Sequence, residues 1–448
     1  MAEDKATFGG RLSRYARVGA GMGGVALRVA GARVMGSAPD HGRHASELKA
    51  ALGGLKGPLM KVAQIMSTIP DLVPPEYAEE LAELQAHAPP MGWTFVRRRM
   101  KSELGADWES RFSAFERDAA HAASLGQVHR ARDLTGAALA CKLQYPDMQS
   151  AVEADLSQLR VAFSIYRRMD TAIDPTQMAD EIGERLREEL DYAREAAHMR
   201  LYSRMLETVS SVTVPDVVDD LSTPRLLTMT WLEGSPVLDV KGAPLEQRNA
   251  LATALFQAWW LPFARYAVIH GDPHLGNYAV RPDGFGINLL DFGCVRIFPA
   301  DFVNGVIDLY RGLLHDDRDL IVAAYERWGF RNLSNGLIEA LTIWARFIYR
   351  PLLDDRVRTV ADGISPAEYG RREAFEVHQA LKIHGPVTPP KEFVFMDRAA
   401  IGLGAVFLHL GAELNFFRMF NEAIEHFDRD SVASAQKNAL AAAGVPMD

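Results

Sequence analysis

Two short polar segments, each preceded by an apolar run, hold residues that could act in phosphoryl transfer. The segment HGDPHLGN runs from His270 to Asn277 and follows YAVI, and the segment DFG, Asp291 to Gly293, follows INLL. Asp and Gly favour turns for backbone reasons alone, so the plain alternative is a pair of ordinary turns. Phosphoryl transfer needs side-chain oxygens that hold metal ions and a carboxylate beside the attacking nucleophile.

The spacing of these residues is that of a kinase catalytic loop, H-x-D-x-x-x-x-N followed by DFG. A lone DFG occurs by chance, but the ordered pair after two strand-like runs favours phosphoryl transfer over two ordinary turns. We therefore predict that Asp291 is the principal Mg²⁺ ligand and Asn277 the ligand of a second metal ion. Asp272 is predicted to act as the base or to position the nucleophile.

A kinase also needs a lysine on an upstream strand and a glutamate that holds it. The run ALACKLQYP places Lys142 in an apolar strand, where an unpaired ammonium is costly to bury. The alternative is a lysine on an edge strand with its head group in water. In EELDYAREA, at about 100° per residue on one continuous helix, Asp191 and Glu195 share a face and Glu189 points away. We predict that Glu195 pairs with Lys142, and the alternative for the whole acidic run is a solvated face.

The chain lacks the glycine-rich loop that covers the phosphates in ordinary kinases. Its place holds AAHAASLGQVHRA, Ala119 to Ala131, which contains one glycine. An alanine-rich loop is stiffer and has fewer positions free to adopt a positive φ angle. The nucleotide is therefore expected to be held differently, and ordinary protein phosphorylation is disfavoured.

The order of patterns predicts an α+β protein with a bilobal, protein-kinase-like fold. We predict a leader at residues 1–45, a helical extension at 46–114, a kinase-like N-lobe at 115–236 and a mostly helical C-lobe at 237–448. Residues 10–35 are basic and contain no acid, so they either form an amphipathic segment on an anionic membrane surface or a flexible leader.

Composition excludes several other classes of protein. A net charge of −9 over 448 residues gives no general attraction to nucleic acid. Cys141 and Cys294 are the two cysteines, which argues against a disulfide scaffold and fits a reducing compartment. The start MAEDKATFGG is unlike a secretory signal, and the two longest apolar runs hold polar residues that fit buried helices better than membrane spans. A cytoplasmic protein is expected, either free or peripheral on the inner face of the membrane.

Five motifs together resemble those of the UbiB-type atypical kinases, the aarF-domain kinases linked to ubiquinone biosynthesis. GPLMKVAQIM is similar to the family's K-x-G-Q motif, AASLGQVHRA to its Ala-rich loop and EELDYAREA to its E-x-D motif, while HGDPHLGN and DFG are similar to its catalytic loops. The resemblance spans about residues 57–415.

The resemblance implies a helical extension, carrying Lys61 and Gln64, that covers the active-site mouth and faces Glu189 and Asp191. Such an extension disfavours protein substrates and favours ATP hydrolysis or action on a small or lipid-like molecule. The implied ligands are ATP or ADP with Mg²⁺, and the implied partners are an isoprenoid or quinone-like lipid, an anionic membrane surface or quinone-biosynthesis proteins. The strand LLTMTWLEG is implied to be the adenine hinge. The implied nucleotide contacts are Ala122, Ala123, Ser124, Gln127, Lys142, Met229, Thr230 and Trp231.

The sequence departs from the family pattern at two places. Ala63 stands where the motif has glycine. This replacement favours a helix by up to about 1 kcal/mol and prevents a close approach of the backbone. His121 stands in the Ala-rich loop, where the family usually has alanine. Two other functions stay open: a small-molecule phosphotransferase of the aminoglycoside/choline-kinase type, and a nucleotide-gated lipid-binding scaffold with little turnover. The Ala-rich loop, the K-x-x-Q segment and DFG argue against the first of these.

Overall fold

The computed structural model describes residues 91–122, 125–154, 156–157, 183–184, 186–362 and 391–446. These residues form helices and mainly antiparallel sheets, which confirms the predicted α+β class. They divide into two compact units: the first holds the described residues up to Tyr192 together with Val218–Thr228, and the second holds Ala193–Val217 and the described residues from Met229 onward. The predicted leader and residues 46–90 of the predicted extension lie outside the described ranges.

The α-helices, in chain order, are α1 (Trp93–Leu104), α2 (Tyr192–Met205), α3 (Leu245–Tyr266), α4 (Ala300–His315), α5 (Arg318–Trp328), α6 (Asn335–Tyr349), α7 (Lys391–Leu410), α8 (Phe416–Ile424) and α9 (Arg429–Ala443). The strands are β1 (Ala114–Phe115), β2 (His121–Ala122), β3 (Gly126–Arg132), β4 (Ala138–Gln144), β5 (Val212–Thr213), β6 (Leu226–Thr230), β7 (Ser235–Pro236), β8 (Val268–His270), β9 (Tyr278–Val280), β10 (Ile287–Leu289) and β11 (Val295–Ile297). Short 3₁₀ turns include Trp108–Arg111 and Leu275–Asn277.

Strands β3 and β4 form a hairpin, within a sheet of order β1-β3-β4-β6 in which β2 also pairs with β3. Asp133 begins the turn: its Oδ1 accepts hydrogen bonds from the backbone N–H of Thr135 at 2.8 Å and of Ala137 at 2.9 Å. Gly136 has a φ of 90°, a region that glycine adopts without steric cost. Local turn chemistry therefore sets the register of the hairpin.

Helix α1 covers one face of this sheet. Its Val96 and Met100 form a buried core with Cys141 and Leu143 of β4. Because side chains alternate across a strand, Lys142 points to the opposite face. Burial raises the pKa of the Cys141 thiol to about 12, so this side chain acts as a small neutral residue of the core.

The second unit is built around the long helix α3, whose buried residues include Trp259, Trp260 and Phe263. This helix contains most of the apolar run LATALFQAWWLPFARYAVIH, whose last three residues form β8, and α7 contains most of the second apolar run. Both runs therefore lie mainly in helices, as predicted. Within the described ranges, no helix is long and apolar enough to cross a membrane.

Two small sheets complete the second unit. One has the order β5-β10-β9-β7, in which β10 pairs with β5 in parallel and with β9 antiparallel. The other is the antiparallel pair β8 and β11. Strands β8 and β10 lie directly before the two polar segments, as their apolar sequences predict.

Candidate functional site

Strand β8 brings the first polar segment beside the chain that leaves DFG. His270 pairs with Val295 of β11, and the Gly271 N–H donates to the carbonyl oxygen of Cys294 at 2.6 Å. A Cβ atom at position 271 would lie 2.9 Å from Cys294 Sγ and 3.1 Å from the Cys294 carbonyl oxygen. Glycine is therefore needed for this close approach of the two strands.

His270 connects the two polar segments through a side chain that is only 2% exposed. Its Nε2 lies 2.6 Å from the carbonyl oxygen of Asp291. Because a carbonyl oxygen only accepts, Nε2 must carry the hydrogen in this contact. The carbonyl oxygen of His270 in turn accepts from Trp259 Nε1 at 2.9 Å, so α3 holds the histidine backbone in place.

The loop from Asp272 to Asn277 is closed by its own hydrogen bonds. Asn277 Nδ2 donates to the backbone oxygen of Asp272 at 2.9 Å and to Asp272 Oδ2 at 3.1 Å. The N–H of His274 donates to the Asp272 carbonyl oxygen at 2.8 Å. Because the amide nitrogen of Asn277 is used in this way, its amide oxygen is the atom that can meet a metal ion.

The DFG segment is joined to the same loop. The Leu290 N–H donates to the carbonyl oxygen of Asn277 at 3.0 Å, and Asp291 Oδ1 accepts from the Gly293 N–H at 2.9 Å. The structure thus places Asp272, Asn277 and Asp291 at adjoining strand ends, each half-buried.

Phe292 of DFG anchors the segment in the core. Its ring is fully buried and lies 5.4 Å from the ring of Tyr202 and 5.9 Å from that of His270, measured between centroids. His198 Nδ1 lies 3.1 Å from the Phe292 carbonyl oxygen. Burial raises the pKa of Tyr202 and of Tyr278, so both phenols stay neutral beneath the loops.

The three polar side chains fit a magnesium ion that arrives with a nucleotide. Mg²⁺ prefers oxygen ligands and usually takes one or two protein carboxylates, completing its shell with phosphate oxygens and water. Asp291, Asn277 and Asp272 provide oxygens of this kind on one set of hydrogen-bonded loops. In the described part of the chain, no group of three or more His, Cys, Asp or Glu residues is placed to hold a metal ion by itself.

Lys142 is half-buried in strand β4, and its Nζ lies 5.3 Å from the ring centroid of Tyr192. A cation over an aromatic face gains about 0.5–2 kcal/mol, depending on how far it is desolvated. Strand β4 lies between β3 and β6, so the edge-strand alternative for this lysine is wrong.

Tyr192 and Gly126 are two residues that the sequence analysis missed. Tyr192 is 2% exposed, and a Cβ atom at position 126 would lie 2.7 Å from its hydroxyl and 2.5 Å from the carbonyl oxygen of Leu143. Gly126 therefore allows the Ala-rich segment to reach the tyrosine that lies beside Lys142. The available signals were the lone glycine of that segment and the aromatic residue within EELDYAREA.

Gln127 has a different role from the nucleotide contact that the resemblance implies. Its side chain is 2% exposed, its Oε1 accepts from the Met91 N–H at 2.7 Å, and its Nε2 lies 2.7 Å from His129 Nε2. These bonds fix the chain just before α1 to strand β3 and use both ends of the amide. Its strand partner Ala122 is exposed in β2.

His129 makes this network sensitive to pH. Burial lowers the pKa of His129 below 6.5, and its Nδ1 lies 2.9 Å from the Glu116 carbonyl oxygen. Nδ1 therefore donates to Glu116, while the unprotonated Nε2 accepts from Gln127. Protonation of Nε2 would remove that acceptor.

We expect stability to fall as the pH falls through the pKa of folded His129. The folded-state pKa is lower than the unfolded one, so the unfolded chain binds more protons below about pH 6.5. The urea midpoint of the wild type should decrease between pH 7.5 and pH 5, and the urea midpoint of His129→Gln should decrease less over this interval. His121→Gln, at an exposed histidine, is the control. An unchanged pH dependence in His129→Gln would contradict this role.

The acidic motif is not one continuous helix. Residues 186–189 are helical, Leu190 and Asp191 are not, and α2 begins at Tyr192. The predicted shared face of Asp191 and Glu195 is therefore wrong: Asp191 is exposed, whereas Glu195 is 2% exposed. A carboxylate this buried needs hydrogen-bond donors or a cation. The alternative of a solvated acidic face is consequently wrong for Glu195. The side chain of Glu189 is half-buried, so its predicted role stays a prediction.

One backbone N–H of the implied adenine hinge already has a hydrogen-bond partner within the protein. The Thr230 N–H donates to the carbonyl oxygen of Asp216 at 2.9 Å, and Thr230 Oγ1 accepts from the Asp216 N–H at 2.9 Å. Met229 forms a bridge with Val217, so its own N–H and C=O point away from that residue. The Thr230 N–H is therefore unavailable for its predicted hinge contact, whereas the hinge contacts of Met229 and of the half-buried Trp231 stay predictions.

Four of the predicted site residues lie outside the described residues. They are Lys61 and Gln64 of the K-x-x-Q segment, and Ala123 and Ser124 of the Ala-rich loop. Their roles stay predictions, as does the effect of Ala63.

Comparisons with known proteins show which family this chain is similar to. A family model described as the ABC1 atypical kinase-like domain matches residues 83–325, more than half of the chain. A protein of Arabidopsis thaliana named Activity of BC1 complex kinase 8, chloroplastic, is 30% identical over 280 residues, which is 60% of this chain and 36% of that protein. The mitochondrial atypical kinase COQ8 of Saccharomyces cerevisiae is 28% identical over 250 residues, 56% of this chain and 50% of that protein.

A solved structure, the Rv3197–erythromycin complex from Mycobacterium tuberculosis, matches with a TM-score of 0.59 and 28% identity over 89% of this chain and 98% of that one. The chain spans about half the length or less of the curated relatives it matches. The family model and this structure confirm the predicted kinase-like fold.

Proposed function

Because this chain belongs to the ABC1 atypical kinase-like family, we propose that it binds Mg·ATP and transfers or hydrolyses the γ-phosphate. One observation carries the proposal: hydrogen bonds join the loop of Asp272 and Asn277 to the DFG segment at adjoining strand ends. Two ordinary turns would not need the buried His270 to hold the backbone of Asp291.

Each residue has a distinct role in the proposed reaction. Asp291 and the amide oxygen of Asn277 would hold Mg²⁺, which supplies positive charge to the phosphates. Asp272 positions the attacking hydroxyl or water and accepts its proton. Lys142 contacts the phosphates of the nucleotide, which is the role of the upstream lysine in a kinase. The pairing of Glu195 with this lysine stays a prediction.

We further propose that the reaction supports ubiquinone or other isoprenoid-lipid biosynthesis and is not protein phosphorylation in trans. The resemblance to the UbiB-type kinases, the alanine-rich loop and the relative named atypical kinase COQ8 support this assignment. The solved relative is described as a complex with erythromycin, which supports a small-molecule ligand for this chain too.

The test is phosphate release from Mg·ATP by the wild type and Asp272→Asn. The variant should lose about a hundredfold or more, because proton acceptance contributes 10²–10⁴-fold. Asp239→Asn, at an exposed carboxylate of the same unit, is the matched control and should keep the wild-type rate. Equal rates in Asp272→Asn and the wild type would contradict the assigned role. Nucleotide binding without release by the wild type would favour the scaffold function.

A further inference from the structure

A cleft lined by apolar side chains opens among the helices of the second unit. Helices α3 to α8 all contribute to its walls, and it encloses about 1010 Å³ of space, including its open mouth. The described residues that line the cleft include none with a charge.

Several polar atoms of the side chains that line the cleft point away from it and bond to other protein groups. The Tyr349 hydroxyl donates to the carbonyl oxygen of Val306 at 3.0 Å, and Trp328 Nε1 donates to that of Phe302 at 3.1 Å. The Tyr325 hydroxyl lies 3.3 Å from Thr342 Oγ1. These rings therefore present carbon atoms to the cleft, and a ligand that fits them has no need of polar groups along its length.

The mouth of the cleft lies partly along helix α6. Leu341, Trp344 and Ile348 line the cleft, and all three are half-exposed. Their spacing of three and four residues puts them on one stripe of the helix. An apolar stripe that runs from water into a cleft marks a binding surface rather than a closed core.

Small residues of helix α7 also line the cleft. Ala400 and Gly404, one helical turn apart, both line the cleft, where larger residues would fill it. We propose that the cleft binds the hydrocarbon chain of a lipid, with the polar head group at the mouth. The walls and the open mouth both fit a ligand that is apolar along its length.

The same helix lies against the catalytic loop. A Cβ atom at Gly402 would be 2.6 Å from Cγ of Pro273, which follows Asp272. At about 100° per residue, position 402 is about 200° away from both Ala400 and Gly404. A hydrocarbon chain bound in the cleft therefore contacts one side of α7, and the other side of α7 contacts the catalytic loop. We expect this bound ligand to change the rate of phosphate release. This coupling rests on the proposed function, whereas binding to the cleft does not.

The test is quenching of tryptophan emission by 9,10-dibromostearate, titrated below its micelle concentration into the full chain without nucleotide. Bromine quenches on contact, and Trp260, Trp328 and Trp344 line the cleft. Quenching should saturate, and Ala400→Leu should weaken binding about tenfold or more, because its added carbons displace roughly two methylene groups of the ligand. Ala405→Leu, at a half-exposed alanine of the same helix that does not line the cleft, is the matched control.

Competition by geranylgeraniol and by 1-hexadecanol in the wild type shows whether a prenyl or a straight chain is preferred, and circular dichroism verifies the fold of each variant. Quenching that does not saturate, or equal affinity in Ala400→Leu and the wild type, would overturn the site even if phosphate release is normal. Saturable binding that leaves the wild-type rate of phosphate release unchanged would overturn the coupling alone.

Discussion

Asp291→Asn is expected to reduce phosphate release from Mg·ATP by at least about a hundredfold. Removing one group that stabilises charge in the transition state has an effect of about this size. The amide has no negative charge to hold Mg²⁺. It does keep an oxygen that can accept from the Gly293 N–H, as Asp291 Oδ1 does at 2.9 Å. The backbone of Asp291, held by His270, is unchanged by this substitution. The loss should therefore come from the metal and not from the fold.

Two readouts separate these causes. The variant should melt within about 2 °C of the wild type, since Asn has the shape of Asp and keeps an acceptor for the Gly293 N–H. Its nucleotide affinity should respond less to MgCl₂ than that of the wild type. A wild-type rate of phosphate release in Asp291→Asn would show that this carboxylate does not hold the catalytic metal.

Gly126→Ala should destabilise the protein by about 3 kcal/mol, the upper part of the range for overpacking a buried site. The new methyl carbon would lie 2.5 Å from the carbonyl oxygen of Leu143 and 2.7 Å from the Tyr192 hydroxyl. The first atom belongs to the backbone of β4, which is paired on both sides and cannot move without loss of ladder hydrogen bonds. The second belongs to the ring beside Lys142.

The measurement is thermal melting by circular dichroism, where a change of this size corresponds to roughly 10 °C. Gly92→Ala is the matched control, because a Cβ atom there would meet no atom within 4 Å and the residue lies in the same unit. Equal melting temperatures for Gly126→Ala and Gly92→Ala would contradict the close packing of the Ala-rich segment on Tyr192.

The catalytic loops could be predicted from the sequence because their chemistry is local. Asp272, Asn277 and Asp291 lie within about 20 residues, and each polar segment follows a short apolar strand that turn residues end. The β3–β4 hairpin was predictable for the same reason, since Asp133 and Gly136 determine its turn.

The roles of Gln127 and of the acidic motif depend on tertiary structure and could not be read from a pattern. A polar residue on a strand has the same sequence signal whether it faces a ligand or, as Gln127 does, a buried histidine. The interruption at Leu190 and Asp191 contains neither glycine nor proline, so helical periodicity passes through it unmarked.

The apolar cleft was also invisible in the sequence. Its walls come from helices between Leu245 and Ile424, and each of these helices alone has an ordinary amphipathic or buried pattern. Only their packing leaves the space, which small residues such as Ala400 and large ones such as Trp344 line together.

The most direct test of the account is calorimetric titration of the wild-type chain with a non-hydrolysable ATP analogue, in MgCl₂ and in EDTA. We predict saturable binding of one nucleotide in MgCl₂ that becomes about tenfold weaker or more in EDTA, since Asp291 and Asn277 would then lack the ion that joins them to the phosphates. No saturable binding in either buffer would contradict the assignment of these loops to a Mg·ATP site.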